Sequence, residues 1–243
     1  MRKRSWLVLS VIGLLSGCAA LDGDDYAVYD PNEGFNRWSY DFTDRVDRAA
    51  LAPVARGYQK VMPDFAERGV ANVFANLRTL PSSVNGFLQG KPRSGSTDFG
   101  RFLLNKTVGV GGLFDPASGV GLLSQEEDFG QTLAVWGWRK SRFIFIPFMG
   151  PTTVRDLPSA VIGGYIPRMI FGSDYHWGLS ALDVVKTRAG LLTTTELRDA
   201  SALDGYAFTR DGFIQRRKYL IYDGEPPLDD LFDEFDEFGE EDE

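Results

Sequence analysis

The sequence contains very few of the residues with which most enzymes do chemistry. It has one histidine, His176, and one cysteine, Cys18, among 243 residues. A Ser-His-Asp triad, or a zinc site with histidine ligands, would therefore have to be built around His176 alone. The chain also lacks a Gly-x-Ser-x-Gly elbow, a phosphate-binding loop with its Lys-Ser/Thr pair and a His-Glu-x-x-His motif. These absences argue against an enzyme, and we predict no cofactor and no metal site.

Long apolar runs and clusters of positive charge are missing as well. No segment after residue 17 reaches the ~18–20 uninterrupted apolar residues that a spanning helix needs. Two apolar stretches are shorter or interrupted. The stretch 108–114 is rich in glycine, and the stretch 157–171 is broken by Gly163, Gly164, Pro167 and Arg168. Such segments could still insert shallowly into one leaflet, as aromatic-rich amphipathic helices do. The net charge of −8 and the lack of basic clusters exclude a nucleic-acid partner.

What the chain does contain begins with a secretory signal. Basic residues at 2–4 precede a short apolar stretch, and small residues follow it just before Cys18. The Leu-Ser-Gly-Cys that ends at Cys18 resembles the bacterial lipobox, so we predict a signal peptide over 1–17, lipid attachment at Cys18 and a lipidated linker over 18–29. A soluble secreted protein with a free thiol is the alternative. An Asp directly after the lipidated cysteine would resemble an inner-membrane retention signal, but this chain has Ala19 there. We therefore expect the protein to be anchored on the periplasmic side of the outer membrane of a Gram-negative bacterium.

The other end of the chain is strongly acidic. Residues 18–224 hold 23 acids and 23 bases, whereas 225–243 hold eleven acids and no Lys or Arg. This composition predicts a disordered, solvated tail. Phenylalanines are spaced through the acids, so a docking segment for a basic partner is the alternative. Between linker and tail, residues 30–224 are numerous enough for one domain with a sizeable core.

Helical periodicity dominates this domain. A capping residue, a first-turn proline and a back-reaching Glu at 30–33 predict a helix start, and apolar residues then recur at helical spacing. Further helices are predicted from about 63 to Pro81, from about 97 to 106, from 124 onward and from about 203 to 221. The best strand candidate is 142–146, which Pro147 ends. The expected fold class is mostly α, a single domain with a short strand or β-hairpin.

Three groups of residues in the domain are candidate functional features. The acids at 126–128 could be catalytic, but a solvated first turn that complements the helix dipole is favoured. Gly109, Gly111 and Gly112 favour either a close backbone approach or an ordinary tight turn. Aromatic residues among the broken apolar segments are candidates for the membrane interface, with core packing as the alternative. They are Trp136, Trp138, Tyr165 and Trp177.

Taken in order, several stretches resemble the MlaA/VacJ family of outer-membrane lipoproteins. The likeness covers roughly residues 28–224 and leaves the acidic tail outside. One departure is Pro151, where related proteins often carry another residue. The stretches that carry the likeness are Asp-Pro-Asn-Glu-Gly-Phe-Asn-Arg at 30–37, Phe-Leu-Gln-Gly at 87–90, Arg-Phe-Leu-Leu-Asn at 101–105, Gly-Val-Gly-Gly-Leu-Phe-Asp at 109–115, Phe-Gly-Gln-Thr-Leu at 129–133, Ile-Pro-Phe-Met-Gly-Pro-Thr-Thr-Val-Arg-Asp at 146–156 and Thr-Arg-Ala at 187–189.

The resemblance implies a passive transport role. Members of the family form a helical ring embedded in the inner leaflet of the outer membrane and bound to trimeric porins. An amphipathic channel through the ring would let phospholipids that have strayed into the outer leaflet pass back to a periplasmic carrier, MlaC. The lipid asymmetry of the outer membrane would be maintained in this way. The candidate channel or hinge residues are then Gly109, Gly111, Gly112, Gly163 and Gly164.

Two other functions stay open. A structural lipoprotein could brace porins or link envelope layers and move no lipid, and the sequence separates it poorly from a transporter. A phospholipase would need an activated nucleophile, which the single histidine, His176, disfavours.

Overall fold

In the computed structural model, residues 30–160 and 176–227 are described, with the side chain of His176 excepted. Predictions on the signal peptide, the tail beyond 227, Cys18, Gly163, Gly164 and Tyr165 lie outside the described residues. The described elements are α1 (Glu33–Val46), a π-helical turn (Asp47–Leu51), α2 (Ala52–Val61), α3 (Asp64–Leu88), α4 (Pro92–Thr107), α5 (Pro116–Gly119), α6 (Phe129–Val135), β1 (Phe143–Ile146), β2 (Gly150–Thr153), α7 (His176–Gly190), α8 (Leu192–Ser201) and α9 (Gly205–Ile221).

The first two helices form one long helical segment that a π-helical turn interrupts. α1 passes directly into the turn at Asp47–Leu51, and α2 continues from it. The predicted capping box does not form, because α1 begins at Glu33 and no side chain caps it. Asp30 instead accepts hydrogen bonds from Asn36 Nδ2 (2.7 Å) and from the Tyr206 hydroxyl. The carboxylate therefore makes a tertiary contact with α9, which the local sequence does not reveal.

α3 and α4 form a helical hairpin with a short connection. The chain turns at Gly90, whose φ is +74°. The prediction that Pro81 ends the first of these helices is wrong, because α3 continues to Leu88. A proline inside a helix costs about 3 kcal/mol. The turn beyond it offsets this cost through Ser82 and Ser83, which hydrogen-bond to α4.

Two helix starts differ from the predicted ones. α4 begins at Pro92 and not near 97, because the fixed φ of proline suits a first helical turn. The start predicted at 124 is wrong as well. α6 begins after Asp128, whose carboxylate accepts the amide N–H of Gln131 (2.9 Å). The capping pattern at 124–127 lies in a segment without regular structure, in which Glu126 has a φ of +55°.

β1 and β2 form a two-stranded antiparallel hairpin. Phe143 pairs with Thr153 and Ile146 pairs with Gly150, so residues 147–149 form the connection. The predicted strand is confirmed to within one residue. Its partner strand, rich in Gly, Pro and Thr, carries little strand signal of its own.

Two small apolar clusters hold these elements together. The first joins α1, β1 and α9, and consists of Tyr40, Phe143, Phe145 and Tyr206. The second joins α2 to α7 and α8, and consists of Ala52, Ala55, Ala189 and Leu192. Elsewhere in the described chain most buried side chains are polar. The expected mostly helical fold with a short hairpin is confirmed, but its core is only partly apolar.

Candidate functional site

Many polar side chains are buried and many large apolar side chains are exposed, which is unusual for a water-soluble domain. Asn36, Ser39, Asp98 and Thr132 are fully buried, whereas large apolar side chains such as Phe65, 74% exposed, lie outside. Buried Asp and Asn are uncommon in water-soluble proteins, and extensive apolar surface marks contact with another apolar phase. We use the term polar interior for one set of buried polar residues, namely Ser82, Ser83, Asn85, Ser94, Asp98, Glu127, Gln131, Thr132, Asp156 and Arg217.

Small residues let α3 and α4 approach closely within the polar interior. A Cβ on Gly86 would lie 2.7 Å from the amide nitrogen of Gly95, so the two backbones are in direct contact. Ser83 Oγ donates to the Gly95 carbonyl (2.7 Å), and Ser82 Oγ donates to Asp98. Packing through Gly and Ser with hydrogen bonds across the interface is typical of helices in a lipid environment, where apolar burial drives little association.

Glu127 lies in the polar interior and not on a solvated first turn, so that prediction is wrong for this residue, whereas Glu126 is exposed and Asp128 caps α6. Glu127 is 5% exposed, and its carboxylate accepts hydrogen bonds from Lys91 Nζ (3.0 Å) and Gln89 Nε2 (2.9 Å). Its amide donates to Ser82 Oγ (2.7 Å). A buried carboxylate needs such partners. They lie 36 to 45 residues away in the chain, so no local pattern predicts them.

Arg217 of α9 binds two carboxylates at one edge of the polar interior. Its guanidinium donates to Asp128 (2.5 Å) and to Asp156 (2.8 Å). Burial alone would raise the pKa of Asp128, but hydrogen bonds from Arg217 and Gln131 outweigh this and lower the pKa below its ordinary value. A Cβ on Gly130 would lie 2.0 Å from Asp156 Oδ1. This charge cluster therefore ties α6 to α9 and leaves no space for a side chain at position 130.

The glycines predicted at a channel or hinge lie in the loop 108–115 between α4 and α5. Gly111 and Gly112 have φ values of +71° and +94°, which L side chains rarely adopt. A Cβ on Gly109 would lie 2.4 Å from the carbonyl oxygen of Asn105. Both structural alternatives therefore apply, a close backbone approach at Gly109 and a tight turn at the next two glycines.

A buried ion pair holds this loop against α4. Arg101 donates to Asp115 (3.1 Å), and Asn105 Nδ2 donates to the same carboxylate (2.9 Å). Burial alone would raise the pKa of Asp115, but hydrogen bonds from Ser118, Asn105 and Arg101 lower it below its ordinary value. The loop thus has a polar base. Its exposed side chains are apolar, and they are Val108, Val110, Leu113 and Phe114.

One face of α1 carries an exposed aromatic ladder, formed by Phe35, Trp38, Phe42 and Phe148. Successive ring centroids along α1 lie 5.9 and 5.8 Å apart, and Phe148 at the tip of the hairpin lies 5.6 Å from Phe42. Trp38 is 58% exposed. The apolar stripe that predicted this helix therefore faces outwards, while polar Asn36 and Ser39 face the interior.

Two of the predicted membrane-interface residues are clearly exposed. Trp136 is 58% exposed, and its indole N–H donates to the carbonyl of Leu88 (3.0 Å). Trp177, near the start of α7, is 76% exposed, whereas Trp138 is only partly exposed. The core-packing alternative is wrong for Trp136 and Trp177. A large ring whose polar atom is satisfied suits the boundary of an apolar phase.

A small charged cleft, which we did not predict, lies where the π-helical turn faces α7 and α8. Its volume is about 220 Å³. Arg188 donates twice to Asp47 (2.6 and 2.7 Å), and Arg198 donates to Asp44 (3.0 Å). Arg188 and Asp47 are 141 residues apart in the chain, and Arg198 and Asp44 are 154 residues apart. The only sequence signal near the cleft is the Thr-Arg-Ala at 187–189, which contributes to the family resemblance.

Within 30–160 and 176–227, no helix combines the length and apolarity that crossing a membrane requires. In the same ranges no group of three or more His, Cys, Asp and Glu side chains is arranged to hold a metal ion.

The polar interior, the aromatic ladder and the apolar loop tip together define a helical protein with buried polar groups and exposed apolar side chains. The matching family model carries the description MlaA lipoprotein and covers residues 28–220. The chain belongs to this family.

Characterised relatives cover almost the whole chain. It is 34% identical over 220 residues to the intermembrane phospholipid transport system lipoprotein MlaA of Escherichia coli strain K12. This alignment covers 87% of this chain and 86% of the relative. The chain is 31% identical over 245 residues to the protein of the same name from Haemophilus influenzae, covering 94% and 96%.

The fold is also similar to a solved structure that concerns the structural basis for maintenance of bacterial outer membrane lipid asymmetry. The TM-score is 0.70 at 32% identity, over 79% of this chain and 98% of that chain. This match confirms the expected fold class, a mostly helical, ring-like domain.

Proposed function

We propose that this chain is an outer-membrane lipoprotein that passively returns mislocalised phospholipids from the outer leaflet and so maintains lipid asymmetry. The relatives belong to an intermembrane phospholipid transport system, and the solved relative concerns outer membrane lipid asymmetry. The observation that carries the proposal is the burial of many polar side chains beneath a surface with many exposed, large apolar side chains. The described body has the polarity that a lipid-immersed conduit needs.

The polar interior supplies what a moving headgroup requires. A phospholipid headgroup loses its hydrogen bonds to water when it enters about 30 Å of hydrocarbon. Hydroxyl, amide and charged groups inside the body would exchange some of their internal hydrogen bonds for bonds to the headgroup, while the acyl chains stay against the apolar exterior. The protein would lower the barrier in this way without any covalent chemistry.

The exposed aromatic side chains support immersion in one leaflet. A Trp side chain exposes up to about 250 Å², so transfer of the exposed part of Trp38 into lipid contributes on the order of 3 kcal/mol. Eleven residues lie between Cys18 and Asp30, and the segment from Cys18 to Asp30 spans at most about 40 Å. A lipid anchor at Cys18 therefore keeps the aromatic ladder within reach of the membrane.

The candidate channel and interface residues receive roles in this proposal. The loop with Gly109, Gly111 and Gly112 has an apolar tip on a polar base, which suits the edge of a conduit. We assign Gly163 and Gly164 to the same channel or hinge. Trp136, Trp138, Tyr165 and Trp177 would lie at the membrane interface. A trimeric porin and the periplasmic carrier MlaC are the protein partners in the proposal.

A cellular experiment tests the anchoring part of the proposal. Cys18→Ala removes the acylated residue, and Ala19→Asp retains it but resembles an inner-membrane retention signal. We expect both variants to lose outer-membrane location and phospholipid retrieval, measured by fractionation and by an outer-leaflet phospholipid assay. Ala20→Ser is the matched control and should behave as the native chain. Normal retrieval by the Cys18→Ala variant would contradict the proposal.

A reconstituted system tests transport itself. The full-length protein, with a porin, is placed in vesicles that contain labelled phospholipid, and purified MlaC is added outside. We expect label to move to MlaC only when the lipoprotein is present. Porin binding without any movement of label would instead identify a structural brace. Release of free fatty acid would identify a phospholipase.

A further inference from the structure

The charged cleft has walls of both signs. Arg188 with Asp47 and Arg198 with Asp44 form its least exposed part, because their side chains are only 10% to 21% exposed. The two charges within each pair neutralise each other. The pair Arg188–Asp47 fixes α7 against the π-helical turn, and the pair Arg198–Asp44 fixes α8 against the end of α1. They therefore shape the cleft but offer few free charges to a ligand.

Two charged residues that line the cleft have no side-chain partner among the described residues. Arg56 of α2 and Glu196 of α8 line it, and both are exposed. In the described parts of the chain, neither forms an ion pair or a hydrogen bond through its side chain. The cleft thus presents one available positive charge and one available negative charge.

The size of the cleft limits what it holds. A volume of about 220 Å³ corresponds to roughly seven water molecules at about 30 Å³ each. It lies below the range of about 300–1,000 Å³ that is usual for pockets that take a whole drug-sized ligand. A polar group with about eight heavy atoms fits, and a lipid with its acyl chains does not.

We infer that this cleft binds the zwitterionic headgroup of a phosphatidylethanolamine-type phospholipid, with the phosphate at Arg56 and the ammonium at Glu196. The inference rests on the proposed function, because a transported lipid has to reach the cleft.

The charge balance of the cleft favours a zwitterion over a simple anion. Its charged side chains are four arginines and four acids, namely Arg48, Arg56, Arg188, Arg198, Asp44, Asp47, Glu196 and Asp199. An anion would bind Arg56 but would meet the carboxylate of Glu196. A ligand with a phosphate and an ammonium satisfies both.

Binding of two short-chain lipids to the purified, lipidated full chain tests this inference. The probes are dihexanoyl phosphatidylethanolamine and dihexanoyl phosphatidylglycerol, which lacks the ammonium group. Glu196→Ala should weaken binding of the first about three- to five-fold, as expected for a partly exposed ion pair, and leave the second within two-fold. Arg56→Ala should weaken binding of both lipids by a similar factor.

The controls separate this inference from folding and from the proposed function. Asp41→Ala and Arg68→Ala remove exposed charges elsewhere and should change neither affinity. All variants should melt within 2 °C or so of the native chain, as surface changes usually do. Equal effects of Glu196→Ala on both lipids, no effect on either, or full competition by inorganic phosphate would overturn the inference. Lipid retrieval by the native chain is scored separately, so its failure would count against the proposed function alone.

Discussion

Gly130→Ala is the substitution whose cost follows most directly from the structure. The added Cβ would lie 2.0 Å from Asp156 Oδ1 and 2.9 Å from the Arg217 guanidinium, far inside van der Waals contact. Asp156 would have to move, although Arg217 and Thr153 each hold it at 2.8 Å. Loss of one partner from a buried ion pair costs about 3–5 kcal/mol. This is a large share of the roughly 5–15 kcal/mol that stabilises a typical domain.

Thermal unfolding of the purified protein in detergent measures this cost. Each kcal/mol shifts the Tm of a domain of this size by about 2–4 °C, so we expect Gly130→Ala to lower it by about 6–20 °C. Gly212→Ala in α9 is the matched control, because a Cβ there meets nothing within 4 Å. It should raise stability by about 0.5–1 kcal/mol, since alanine favours a helix. If Gly130→Ala melts within about 2 °C of the native chain, the Arg217 cluster is not a rigid support.

Three further predictions concern acidity, backbone strain and the membrane. Because the folded-state pKa of Asp128 lies below its ordinary value of 3.8, its pairing with Arg217 stabilises the fold above that pH and is lost below it. The Tm should therefore fall as the pH drops below about 4, and less steeply in Arg217→Leu. Gly111→Val places a β-branched residue at a φ of +71° and should cost about 1–3 kcal/mol in chemical unfolding. Trp136→Ala should weaken vesicle flotation of the unlipidated chain by about 2–4 kcal/mol, and unchanged flotation would place this residue away from the membrane. Loss of the indole hydrogen bond to Leu88 should lower its Tm by only about 2–4 °C.

The periodicity of apolar residues predicted most helices, but it could not predict whether each apolar face contacts the protein core or the surroundings. The spacing of Phe35, Trp38 and Phe42 predicts α1 correctly, and the same spacing would serve a buried stripe equally well. Only the positions of Asn36 and Ser39, which are fully buried opposite that stripe, show that the apolar side is the outer one. A helix pattern reports a difference between two faces and not the solvent on either side.

The polar interior could not be predicted from the sequence for a different reason. Glu127 and Asp128 follow the local rule for a solvated first turn, but Lys91 and Arg217, which pair with them, come from distant parts of the chain. Pro81 follows the local rule for a helix end, and tertiary packing of the next turn overrides it. The charged cleft depends on pairs separated by more than a hundred residues. Such sites form only when the chain folds.

The π-helical turn has a consequence for how the chain tolerates changes in length. Each residue of a helix contributes about 100° of rotation, and a π-turn accommodates about one residue more than an α-helix would. Deleting one residue from Asp47–Leu51 would therefore return this segment to a regular α-helix and keep Ala52 and Ala55 directed towards α7. Deleting one residue from the α-helical part of α1 would instead rotate Ala52 and Ala55 by about 100° relative to the start of the helix. The π-helical turn should consequently tolerate the loss of one residue better than the α-helical turns beside it.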